Sequence, residues 1–249
     1  SINFSRDEVR ETVIPAYMGL VTEIDDHIGR LMDFLEKKEL LKKTLIVFTS
    51  DHGDYLGDHW LGEKELFHEE TLRIPMIMVD PSEEADSTRG TCDSRFVESI
   101  DLIPTFLEAL GGDIPGHRLE GKSLLGLLRN TENSQWSDAV YSEADYAWRN
   151  ARLELGLTPD ECHAFMVRTE SWKYIRYQKF PPQLFDLQTD PKELKDLGSD
   201  SELKSVRDIL EERLNEWVRT RHLRSTISHQ TIDSRTGTAK ERGYLFGVW

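Results

Sequence analysis

Residues 44–64, TLIVFTSDHGDYLGDHWLGEK, pass without a break from a stiff apolar run into a span holding three Asp, two His, three Gly and a Lys. Leu45 to Phe48, bounded by polar residues, reads as a short strand buried on both faces, and Ile74 to Val79 reads as a second. A purely structural chain has little reason to crowd groups that are costly to desolvate at the end of a buried strand. In open α/β sheets that end is where ligand-binding loops leave. The stretch therefore predicts parallel-type strands with a chemically active loop between them.

The surrounding pattern agrees with α/β layering. From Ala16 to about Leu41, Tyr17, Leu20, Ile24, Ile28, Leu31 and Leu35 recur at the spacing of one buried helix face, with Pro15 at its start. Residues 99–110 predict a helix holding Pro104 in its first turns and stopped by Gly111-Gly112. Ala139 to Ser142 reads as a strand. AFMVRTE (164–170), WKYIRYQ (172–178) and QLFDL (183–187) alternate like a small antiparallel sheet, with Pro181-Pro182 as a turn. Residues 201–219 form an amphipathic helix with Leu203, Val206, Leu210, Leu214 and Trp217 on its apolar side. The tail from about Leu223 is polar but ends in YLFGVW (244–249), which should dock on a neighbour and makes a homo-oligomer the expected assembly. The buried strands give way to a meander near 135–160, so the expected division is 1–140 and 141–249.

Composition narrows the partners. With 46 acidic against 31 basic side chains, the net charge of −15 disfavours nucleic acid and anionic membrane surfaces, but leaves room for a local site taking a small anionic ester. The mean hydropathy of −0.54, with no apolar run near eighteen residues, excludes a spanning helix. No basic-then-apolar leader is visible, which favours a cytoplasmic location. Cys92 and Cys162 are too few and too isolated for a disulfide framework or a zinc knuckle.

Asp51 offers an anionic oxygen and His52 a neutral nitrogen, a pairing suited to a divalent ion, and Gly53 lets the chain turn so that both face one point. Taken alone, D-H-G serves equally as a helix cap or turn. The longer pattern is more specific. S-D-H-G-x-x-L-G-D-H-x-x-x-x-K (50–64), followed by F-x-E-E-x-x-R-I-P-x-I (67–77), resembles the sulfatase branch of the alkaline phosphatase superfamily. GLVTEIDDHIGRLMDFLE (19–36), ESIDLIPTFLEALG (98–111), GKSLLGLL (121–128) and QLFDLQTDPKEL (183–194) are similar to that family in the same order. Within it, the closest likeness is to phosphonate monoester hydrolases and related phosphodiesterases.

The resemblance implies an α/β fold: the C-terminal part of an alkaline-phosphatase-like α/β/α sandwich, with a small antiparallel sheet plus a helix. It implies Asp51 and His52 as metal ligands and Lys64 beside the transferring group or leaving oxygen, with His59 the second candidate catalytic residue. His59 and Asp58 could line the pocket or orient the loop, while His68, Glu69 and Glu70 are expected to position it and Arg73 to serve a buried-edge ion pair. Many sulfatases carry Asn where His52 stands and bind calcium. Imidazole instead suits manganese, zinc or iron, which favours phosphonate and phosphate esters over sulfate esters.

Two parts of the family pattern have no counterpart here. The nucleophile segment, C/S/T-x-P/A-x-R, whose Cys becomes formylglycine, is absent; TCDSR around Cys92 has neither its proline nor its arginine spacing. The only Asp-Asp, Asp25-Asp26, falls within a helix, where neighbours diverge by about 100° and cannot share an ion. The chain is thus expected to be the C-terminal portion of a larger hydrolase and inactive alone. A noncatalytic assembly module of the same family is the alternative.

Overall fold

The computed structural model describes residues 3–64, 66–132, 136–221 and 226–236. In chain order these form α1 (Asp7–Lys37), β1 (Ile46–Thr49), α2 (Glu69–Leu72), β2 (Met76–Val79), α3 (Leu102–Ala109), α4 (Leu125–Leu128), β3 (Ala139–Asp145), α5 (Asn150–Glu154), β4 (His163–Thr169), β5 (Trp172–Tyr177), β6 (Gln183–Asp186), α6 (Lys204–Thr220) and α7 (His229–Arg235). Helices and antiparallel sheets are mixed. Two compact units result, one from the stretches 1–97 and 126–216, the other from 98–125 and 217–249, each over its described residues. YLFGVW lies outside those residues.

In the first unit α1 begins earlier than the periodicity predicts. Asp7 and Glu8 complement the positive end of its dipole, and Pro15 sits inside the helix rather than at its start. A 31-residue helix tolerates the one backbone bond that Pro15 removes. The expected burial is also corrected: no residue of α1 is buried, and Tyr17, Leu20, Ile24 and Leu31 are exposed. Periodicity shows that a face is apolar, not that anything covers it.

The strands flanking the Asp-His loop are corrected in the same way. β1 and β2 pair antiparallel as a two-stranded sheet, Phe48 opposite Ile77, and neither is buried on both faces. A parallel pair needs a crossover that carries the chain back to the end where the first strand began. Among the described residues the one α-helix between them, α2, has four residues and advances about 6 Å, too little for that return.

β3 to β6 form an antiparallel meander in sequence order. One face places Ala164, Met166, Ile175 and Phe185 in a cluster with Leu187 and with Phe67, which arrives from the segment before α2. The opposite face holds Val167, Tyr174 and Leu184, all at most 1% exposed. Arg176 Nη1 reaches from the meander to Asn215 Oδ1 of α6 at 2.7 Å, and α6 buries Leu210 and Leu214. The meander is therefore held between the Phe67 segment and α6.

The second unit is built around Asp101 and Thr105. Asp101 Oδ2 accepts from the Glu98 N–H and Oδ1 from the Lys122 N–H, each at 2.8 Å. Thr105 Oγ1 donates to the Asp101 carbonyl at 2.6 Å and accepts from the Leu124 N–H at 2.8 Å. Pro104 is buried in the first turn of α3, where its missing N–H costs nothing, and Gly111 at φ +71° ends the helix. A Cβ at Gly121 would lie 2.2 Å from the Ile100 carbonyl oxygen. Gly121→Ala is accordingly expected to destabilise the protein by about 1–3 kcal/mol through backbone displacement, read from the midpoint of urea unfolding.

Candidate active site

β1 ends at Thr49, and the chain turns at once. Gly53 donates its N–H to the Thr71 carbonyl at 2.9 Å. A Cβ on residue 53 would lie 1.9 Å from the Glu70 carbonyl oxygen, so only glycine permits this approach. With the turn held there, Ser50 Oγ donates to the His52 carbonyl at 2.7 Å and the His52 N–H donates to Asp51 Oδ1 at 3.0 Å.

His52 Nδ1 lies 2.7 Å from the Gly53 carbonyl, which can only accept, so Nδ1 carries the proton and the neutral ring keeps its lone pair on Nε2. That nitrogen is 2.7 Å from Lys64 Nζ and 3.4 Å from Asp51 Oδ2. The three groups predicted to share a site thus meet around one atom. Partial desolvation works against ionisation of Asp51, but backbone N–H groups and the fields of His52 and Lys64 outweigh it and hold the carboxyl below its ordinary range.

Lys64 returns to His52 across twelve residues because the loop closes on itself. The Tyr55 N–H donates to the Glu63 carbonyl at 3.1 Å and the Gly57 N–H to the Leu61 carbonyl at 2.9 Å. Closure is strained: Leu56, His59, Trp60 and Glu63 all have φ between 46° and 62°.

His59 takes a different position from the other candidates. Its ring stacks on His68 at 4.0 Å, and its Nε2 lies 3.6 Å from Glu70 Oε2. Among the described residues its ion pair and ring contacts go to Glu70, Tyr55 and His68, and none goes to Asp51, His52 or Lys64. Asp58 is exposed; Arg73, expected in an ion pair at a buried edge, is exposed as well. Cys92 and Cys162 are both free thiols.

Tyr55, Lys173 and Glu193 were not singled out by sequence reasoning. Tyr55 is 1% exposed and shares a 2.7 Å hydrogen bond with His68 Nδ1. Lys173, wholly buried in β5, meets Glu69 and Glu193 under the loop. Its place on the inward side of an alternating strand, two residues before Ile175, is the signal that marks it.

The described residues do not complete a metal centre. Asp51 and His52 supply suitable donors, but among the described residues no three His, Cys, Asp or Glu side chains are grouped to hold an ion. Divalent ions take about four to six donors, so these two residues by themselves would hold one only weakly.

The sequence matches the family described as N-sulphoglucosamine sulphohydrolase, C-terminal, over residues 57–220, and that described as Type I phosphodiesterase / nucleotide pyrophosphatase over residues 15–88. The chain belongs to the sulfatase branch of the alkaline phosphatase superfamily. It is 36% identical over 217 residues to the multifunctional alkaline phosphatase superfamily protein PehA of Trinickia caryophylli, covering 86% of this chain and 41% of that protein. It is 32% identical over 195 residues to an arylsulfatase of Clostridium perfringens, covering 78% and 38%. The phosphonate monoester hydrolase of Agrobacterium radiobacter superposes with a TM-score of 0.82 at 30% identity, over 91% of this chain and 46% of that one. The chain therefore spans about two fifths of the length of these curated relatives.

Burial, then the field of His59 and then that of Lys173, push His68 down from 6.5 to about 4. The unfolded chain thus binds the extra proton first, and this stability is full above pH 6.5 and lost as pH falls toward 4. Between pH 7 and 4.5 the loss from His68 is expected to be about 2 kcal/mol. His68→Gln should remove that share, seen as a shallower pH dependence of the urea midpoint.

Proposed function

We propose that this chain forms part of a hydrolase of phosphonate monoesters and phosphate diesters, with sulfate esters as neighbouring substrates. The observation that carries the reading is the meeting of Asp51, His52 and Lys64 at the end of β1. The names of the relatives, a phosphonate monoester hydrolase and an arylsulfatase among them, support the reaction class.

The chemistry of the three groups fits that class. Ester cleavage builds negative charge on the nonbridging and leaving oxygens, and a fixed ammonium beside them lowers the barrier. At about 4 Å and an effective dielectric near 20, a unit charge contributes roughly 4 kcal/mol. His52 Nε2, accepting from Lys64, aims the ammonium, and Asp51 stays ionised beside them. In this reading the nucleophile, a formylglycine, Ser or Thr, and the remaining donors for manganese, zinc or iron, with calcium as the alternative, come from parts of the relatives' length that this chain does not span. The exposed apolar stripe of α1 supports such a completion, because a covering segment would remove it from water. The same stripe favours the second reading, an assembly module that docks on a neighbour.

The two separate on assay. Full-length protein carrying this chain is expected to hydrolyse aryl phosphonate and phosphate diesters, with Lys64→Ala lowering kcat/KM by about 10²–10³. Lys64 is exposed, so its loss should leave the unfolding midpoint unchanged. Absence of hydrolysis would favour the module, and hydrolysis indifferent to Lys64 would overturn the place given to that residue beside the reacting group.

A further inference from the structure

Lys173 is the most deeply placed cation of the described chain, its side chain wholly buried on the same face of the meander as Ile175 and Phe185. Its Nζ donates to the Phe67 carbonyl at 2.8 Å and lies 2.8 Å from Glu69 Oε1 and 2.7 Å from Glu193 Oε1. Glu193 Oε2 in turn accepts the Glu69 N–H at 2.8 Å, and Arg168 Nε lies 3.5 Å from Glu69 Oε1. Glu193 holds this place at φ +52°, a left-handed conformation that a residue with a side chain adopts only when its surroundings compel it.

Among the described residues, the hydrogen bonds and ion pairs that Lys173 and Glu193 make across to the loop side fall on Phe67 and Glu69. The next two carbonyls, of Glu70 and Thr71, are the ones against which Gly53 is seated. A continuous path therefore runs from β5 through 67–69 and 70–71 to Gly53 and its neighbour His52. A well-packed apolar side chain would serve stability alone at least as well as a buried ammonium, so the charge is better explained by the single geometry it enforces.

We propose that Lys173 and Glu193 are positioning residues for the candidate active site: they fix residues 67–69 against the meander and so set where Gly53 holds Asp51 and His52 relative to Lys64. This rests on the hydrolase reading only for its consequence in turnover. Lys173 holds Glu69 below the ordinary carboxylate range against the effect of burial, while burial dominates at Glu193 and pushes it up.

Lys173→Met leaves the buried Glu193 carboxylate beside the half-buried Glu69 carboxylate without their shared cation and is expected to unfold readily. Lys173→Met/Glu193→Gln keeps Glu69 paired with Arg168 and leaves no extra charge, so it is the variant to measure. By amide hydrogen exchange in the full-length protein, Gly53 should exchange at least tenfold faster in the double variant, with Val167 in the meander within about threefold of the parent. Turnover of an aryl phosphonate should fall at least tenfold. Unchanged exchange at Gly53 overturns the proposal, as does faster Gly53 exchange with undiminished turnover. Faster exchange at Gly53 in a protein whose parent cleaves none of the esters supports the positioning path and counts against the hydrolase reading instead.

Discussion

The seating of the Gly53 backbone against the carbonyls of Glu70 and Thr71 is the contact on which the candidate site depends. It joins the end of β1 to α2 without any intervening side chain, and the 1.9 Å clash a Cβ would make leaves no substitute for glycine. From that point Asp51 and His52 extend on one side, while the closed loop returns Lys64 on the other. The distances around His52 Nε2 follow from a backbone contact at the next residue, Gly53.

Cost is concentrated around the same loop. Four residues with side chains lie in left-handed backbone conformations between 56 and 63, and a fifth, Glu193, does so beneath them. A lysine and a glutamate are buried there without exposure, and Glu70 Oε2 is buried without a hydrogen-bond partner among the described residues. Elsewhere polar burial is ordinary: Asp101 and Thr105 satisfy backbone N–H groups and organise a turn. Strain and buried charge that gather under one loop fit a site whose geometry matters more than its contribution to stability.

Much of this was legible in the residue order, for identifiable reasons. The meander was readable because alternation of period two marks faces, and the Pro181-Pro182 turn and Gly111-Gly112 stop act through the local backbone. Asp51 and His52 could be paired because a strand end and a glycine turn face both toward one point, whereas Lys64 joined them only through the resemblance to the sulfatase branch. The direction of β2 was not legible from its apolar pattern, since direction is set by the connection, and α2 is too short to cross over. The open face of α1 escaped for a related reason, as an apolar stripe is silent about what covers it. The stacking of His59 on His68 depends on four left-handed residues that no local signal announces, and Lys173 was hidden by the habit of reading lysine as surface.

The most direct measurement is paramagnetic broadening by dilute Mn²⁺ in the ¹H–¹⁵N spectrum of this chain and of its Gly53→Ala variant. Even a weak two-donor site broadens the signals around it. Broadening centred on residues 51–53 and Lys64 in the parent, and lost in the variant, is the expected result. Broadening centred on Glu23 to Asp26 of α1, or undiminished when residue 53 carries a Cβ, would contradict the account.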